Sequence, residues 1–228
     1  RCCGFAGLID VFRRGLLCLN PSLTYELSFM SELQVKPLKY KELPGLSEKQ
    51  LSEHHDVLYA GYVKKTNEIR AKLGAVDLTL ANATHSDLRE LKIEETFALN
   101  AVKLHERYFD NLGGKGGAPE GAIADLIMRD FGSFEKWAAE FAACGLASRG
   151  WTVLAYDLEE KRLMNVVCDV HNQGGVWGQV PLLVLDIYEH AYFIDYATGK
   201  KKYIEAFMQI IDWAAVNAQL EKFDLPKA

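Results

Sequence analysis

Cysteine chemistry is nearly missing from this chain. The five cysteines are an odd number, three of them (Cys2, Cys3 and Cys18) fall in the first eighteen residues, and no pair has CxxC spacing. A disulfide framework is therefore not expected, and a reducing cytoplasm fits best. Clustered positive charge is missing too: the largest basic run is Lys200-Lys201-Lys202, read as a solvated turn, and the formal net charge is −5. No nucleic-acid partner is expected, because phosphate recognition favours a basic patch or stripe. No stretch reaches the roughly 20 apolar residues of a membrane span, so no membrane association is expected either. Repeats and low-complexity tracts do not occur. The remaining composition is that of a globular protein, 49% hydrophobic and 25% charged over 228 residues, long enough for one large domain or two small ones.

Residues 1–29 stand apart. Their apolar patches are broken by Asp10 and Arg13-Arg14, and Met30-Ser31-Glu32-Leu33 reads like an ordinary protein start. The interruptions speak against a signal peptide, while three arginines against Asp10 and Glu26 leave organellar targeting as an alternative to a segment upstream of the natural start.

Beyond that extension, two long helices are predicted. Ser47 with Gln50 three residues later forms an S-x-x-Q capping box, opening a helix over about 47–73 that ends at Gly74. Asp87 opens the second, in which Ala98, Ala101, His105, Tyr108 and Leu112 recur three and four apart on one face. The run Gly113-Gly114-Lys115-Gly116-Gly117-Ala118-Pro119 ends it, and the pair reads as an antiparallel helical hairpin. Helices follow at about 120–130 and 134–147, the latter capped by Ser133, then strands over 150–157, 162–168 and 180–185, and a closing helix over about 203–220. The expected class is α+β: an extension over 1–29, a helical hairpin domain over 30–117, and a C-terminal α/β metal-binding domain over 118–228 with a small, about three-stranded antiparallel sheet.

The third strand delivers the chemistry. Its apolar run leads into Asp186-Ile187-Tyr188-Glu189-His190-Ala191-Tyr192-Phe193, and a chain turning from strand to helix can aim Asp186 and His190 at one point. Taken alone, an aspartate and a histidine four apart are often a helix-surface hydrogen bond. Among the six histidines (54, 55, 85, 105, 171 and 190), however, two more sit on the apolar faces of the predicted hairpin. Each by itself is best read as a hydrogen-bonded core residue. Three imidazoles and one carboxylate together suit iron or manganese.

The string D-x-[WY]-E-H-A-Y-[YF] after an apolar strand resembles the signature of the iron/manganese superoxide dismutases, and the resemblance runs from about residue 36 to 220. It implies metal ligation by His54, His105, Asp186 and His190, with one Fe, preferred, or Mn per subunit. A gateway tyrosine eight residues after the first ligand falls on Tyr62, which selects His54 over His55; positions eight apart share a helix face. The Gln that some members carry four before the second ligand is Ala101 here, so His171 is the candidate for hydrogen bonding to metal-bound solvent, against the alternative of an exposed loop histidine. Trp151 matches the aromatic wall of the pocket, and Tyr188 replaces the commoner Trp. Glu189 and Tyr192 resemble residues at a two-fold interface, where the Glu orients the partner's ligand histidine, which implies a homodimer or homotetramer.

Two departures stand out: Leu58 replaces a histidine that commonly reaches across the dimer, and Lys200-Lys201 replaces an Arg-Pro pair. The implied activity is disproportionation of superoxide to oxygen and hydrogen peroxide, with Tyr62 and His171 as the proton route and Lys64 or Lys200 steering the anion. The competing readings are a non-catalytic protein of the same fold, which degenerate ligands would mark, and a non-haem iron oxygenase with two histidines and one carboxylate, against which the extra histidine argues.

Overall fold

The computed structural model describes residues 31–226; residues 1–29 lie outside them. Ser47 starts the first helical stretch, its hydroxyl accepting from the Gln50 N–H at 3.1 Å. From there α1 (Glu48–Ser52) passes through a widened π-helical turn (Glu53–Tyr59) into α2 (Ala60–Leu73). The capping box is only half formed: Gln50 turns inward instead, donating to the His190 carbonyl at 2.6 Å and accepting from the Ile194 N–H at 3.1 Å. Partners buried in the tertiary structure outcompete the exposed local one.

Helix α3 (Asp87–Asp110), capped by Ser86, runs antiparallel to this stretch. His54 lies against Phe109 near one end of the pair and Tyr62, eight residues on, against Phe97, twelve residues back, near its middle. The face predicted for α3 is the buried one, with Ala98, Ala101, His105 and Tyr108 at 0–1% exposure. A helix with that stripe must cover a second surface, and here it packs on α2 and on the third strand.

Helices α4 (Ala122–Phe131) and α5 (Phe134–Ala147) follow, separated by Gly132 in the left-handed region and the Ser133 cap. Strands β1 (Trp151–Asp157), β2 (Arg162–Cys168) and β3 (Gln179–Asp186) form an antiparallel sheet of order β2-β1-β3 among the described residues, with α4 packed on β2 and α5 on β1 and β2. Central β1 is buried along its whole length. Its pairing with β3 shifts register between Leu154 and Ala155, where the partner changes from Leu183 to Pro181. Proline, which cannot donate to a ladder, is tolerated on such an edge strand. Asn111, just past α3, covers that edge: its side chain donates to the Leu182 carbonyl at 3.2 Å and accepts from the Val184 N–H at 3.1 Å.

The single C-terminal helix predicted over 203–220 is two. After the short α6 (Phe193–Tyr196), α7 (Lys200–Met208) and α8 (Trp213–Lys222) are divided by a turn at 209–212. Asp212 caps α8 through the Ala214 and Ala215 N–H groups. The carbonyls of Ile210 and Ile211 accept from Gly114 and Gly116, and Asn111 O accepts from Asp212 N at 2.7 Å. The apolar period continues through Ile210 and Ile211 because the turn is itself buried, which is why sequence pattern missed the break. A Cβ at Gly114 would stand 2.2 Å from the Ile211 oxygen, so the glycine-rich segment is a docking surface as well as a helix stop. Lys200 likewise opens α7 rather than a solvated turn, and its amino group donates to the Ser148 carbonyl at 3.0 Å.

Candidate metal centre

Four side chains from four elements meet where α3 covers the end of β3. His54 comes from the π-helical turn, His105 from α3, Asp186 from the last position of β3, and His190 from a short 3-10 turn at Glu189–Ala191. Each offers one ligand atom, and these atoms all lie within 4.8 Å of one another. The Nε2 atoms of His54, His190 and His105 stand 3.1, 3.3 and 3.6 Å from Asp186 Oδ2. Donors held about 2.1 Å from one ion stand roughly 3.0–3.6 Å apart at right to trigonal angles.

His105 Nδ1 lies 2.7 Å from the Ala101 carbonyl, which only accepts, so Nδ1 carries a proton. Burial lowers the pKa of this imidazole to about 3, with nearby His54 adding to the effect. The ring is therefore neutral and Nε2 presents a lone pair. That atom is buried and has no hydrogen-bond partner among the described residues. For Asp186, burial opposes ionisation, but His190 and His54 outweigh it and hold the carboxyl below the usual carboxylate range. Its other oxygen accepts from the Tyr188 N–H at 2.9 Å. A lone pair thus faces a carboxylate oxygen across 3.6 Å in a fully buried place, an arrangement that costs free energy unless a cation lies between them. Imidazole and carboxylate donors with a second hydrogen bond on the ligand histidine suit a first-row transition metal such as iron or manganese.

His55 does not join the cluster. Its Nδ1 lies 2.7 Å from Asp56 and its Nε2 2.8 Å from the Lys36 carbonyl. His85 is exposed.

Beside the four ligand atoms lies an aromatic shell. Trp151, the cross-strand partner of Asp186, meets the His105 ring edge-on at 5.0 Å and donates its indole N–H to His171 Nδ1 at 3.0 Å. His171 is 4% exposed rather than a free loop residue, and its Nε2 lies 3.0 Å from the Tyr62 hydroxyl. Tyr62 itself stands 5.6 Å from the His105 ring. Burial holds the Tyr62 hydroxyl above its usual pKa, and the Asp186 charge adds to that. Tyr188 stacks on His190 with centroids 5.1 Å apart and planes 12° apart. Glu189 is exposed, while Tyr192 is buried and stacked on Tyr203 at 4.9 Å.

Sequence reasoning overlooked the contact of Gln50 with the His190 carbonyl. The signal was available: Gln50 stands four residues before His54, hence on the same helix face, next to buried Leu51.

An α+β architecture around a largely buried cluster of three histidines and one aspartate defines a protein with a candidate site for a single metal ion. A profile for the C-terminal domain of iron/manganese superoxide dismutases matches residues 119–219. An iron superoxide dismutase of Aquifex aeolicus is 42% identical over 190 residues, covering 81% of this chain and 89% of its own length. One of Cupriavidus metallidurans, also named for iron, is 43% identical over 185 residues, covering 79% and 92%. A manganese superoxide dismutase of Haloferax volcanii is 35% identical over 206 residues, covering 85% and 97%. This chain belongs to the iron/manganese superoxide dismutase family.

Proposed function

We propose that the chain disproportionates superoxide to oxygen and hydrogen peroxide at one iron or manganese ion held by His54, His105, Asp186 and His190. The observation that carries this reading is the unpartnered His105 Nε2 aimed at the Asp186 carboxylate within a ring of imidazoles. An ion bound there would supply the reversible one-electron change that the reaction requires.

The chain's own residues manage protons and access. His171 and Tyr62, hydrogen-bonded to each other, are the proton route, and burial of His171 keeps its imidazole neutral, with its pKa lowered to about 4. Trp151, Tyr188 and Phe97 wall this pair off, their rings lying 4.5–5.8 Å from that of His171. Exposed Lys64, two residues beyond Tyr62, is the better placed of the two candidate lysines to steer an anion, because the Lys200 amino group is spent on Ser148.

Iron is the metal we favour, supported by the higher identity to relatives named for iron (42–43%) than to one named for manganese (35%). A homodimer, or two such dimers forming a tetramer, is supported by exposed Glu189 beside exposed Phe193 and Ile194, each 47% accessible, next to the ligand turn. Among the described residues no helix is long and apolar enough to cross a membrane, and a cytoplasmic location agrees with the free thiols of Cys144 and Cys168. Metal analysis of the purified protein, with superoxide consumption measured on the iron- and manganese-reconstituted forms, tests the whole reading. Loss-free metal removal that left activity intact would overturn it.

A further inference from the structure

Where the chain leaves β3, a helix starts and fails. Had it continued regularly through His190, the Ile194 N–H would bond to the His190 carbonyl four residues back. The Gln50 side chain occupies that break: its Nε2 donates to the His190 carbonyl at 2.6 Å and its Oε1 accepts from the Ile194 N–H at 3.1 Å. One helical hydrogen bond is thereby replaced by two, and Tyr192 in between takes a non-helical φ of −147°. Insertion of a side chain into the i to i−4 ladder is a recognised cause of such breaks. The carboxamide that does this is 0% exposed and belongs to the helix turn immediately before His54.

We infer that Gln50 is a positioning residue for the metal centre, setting the backbone of His190 relative to His54. The 3-10 turn that carries His190 is three residues long and has few backbone bonds of its own, so its placement depends on an outside anchor. Two further contacts join the same segments, Ser47 N–H to Asp195 at 2.7 Å and the Tyr196 hydroxyl to the Gly45 carbonyl at 2.6 Å, but both are exposed to water. Only the Gln50 contact to His190 reaches a ligand residue directly, and it is shielded from solvent competition.

The inference rests on the metal reading of the cluster, and its test separates the two. Gln50→Met keeps the volume and removes both hydrogen bonds. Ser47→Ala removes the cap of the same helix end and leaves the His190 contact in place. Iron-loaded wild type and both variants are dialysed against a chelator, the ferric electron paramagnetic resonance spectrum is recorded, and thermal unfolding of the metal-free proteins is followed. Gln50→Met is expected to release iron on the order of tenfold faster than wild type and to show a shifted ferric spectrum. Ser47→Ala is expected to unfold at a lower temperature while matching wild type in both metal readouts. Wild-type release and spectrum in Gln50→Met, or the same changes in Ser47→Ala, would overturn the inference. So would failure of both Gln50→Met and Gln50→Ala to fold without metal, which would make Gln50 part of the fold alone. Wild type that binds neither iron nor manganese would instead bring down the metal reading itself.

Discussion

Trp151 donates its indole N–H to Nδ1 of His171 across 3.0 Å, and so decides which nitrogen of that imidazole faces Tyr62. Indole is a donor only, so Nδ1 must be the bare nitrogen. Burial makes the ring neutral, with a pKa near 4, and its one proton therefore sits on Nε2, which donates to the Tyr62 oxygen at 3.0 Å. The Tyr62 O–H is left to donate in another direction. A strand residue thus sets the tautomer of a loop residue, which in turn orients a helix residue.

If His171 tunes the site rather than holding the metal, His171→Ala should retain most of its iron or manganese and turn over on the order of 10–100-fold more slowly. Trp151→Phe, which removes the indole N–H with its bond and part of the ring volume, should act in the same direction by less. Elemental analysis beside rapid-mixing kinetics checks both. Wild-type turnover in His171→Ala would remove it from the proton route.

The adjacent histidines of the first helical stretch should behave differently. His54→Ala is expected to lose metal and activity together, since its Nε2 lies 3.1 Å from Asp186. His55→Ala should keep both, because its nitrogens are engaged with Asp56 and the Lys36 carbonyl. Metal content after purification separates them, and the reverse pattern would refute the ligand assignment.

Glu189 is exposed beside the turn that carries His190. Removing its charge with Glu189→Gln should raise the dimer dissociation constant about tenfold, equivalent to roughly 1.4 kcal/mol, and loosen metal retention. Sedimentation equilibrium measures the first effect. An active wild-type monomer at low micromolar concentration would contradict the two-fold arrangement.

Asn111 offers a test of the fold away from the metal. It is fully buried and pairs with two backbone groups on the open edge of β3. Asn111→Ala leaves those groups without partners and should destabilise the protein by about 2 kcal/mol or more, read from the denaturant midpoint. A midpoint equal to wild type would mean water replaces the side chain.

Local sequence was enough for much of this protein. Ser47 and Ser133 each accept a backbone N–H at a helix start, and the apolar spacing of α3 marks its buried face, because caps and periodicity are short-range effects written within a few residues. The apolar run into Asp186 and the histidine four beyond it announced a strand and a pair of donors. The tertiary structure decided what depends on distant partners. Gln50 abandons the capping box for a carbonyl 140 residues away, and the C-terminal helix breaks at 209–212 because the glycine-rich segment after α3 docks there. The Trp151–His171–Tyr62 chain exists only once β1, the loop after β2 and α2 converge. A short-range pattern gives a side chain its face on a helix or strand; which buried polar group it meets is settled when the faces pack and every buried donor must find an acceptor.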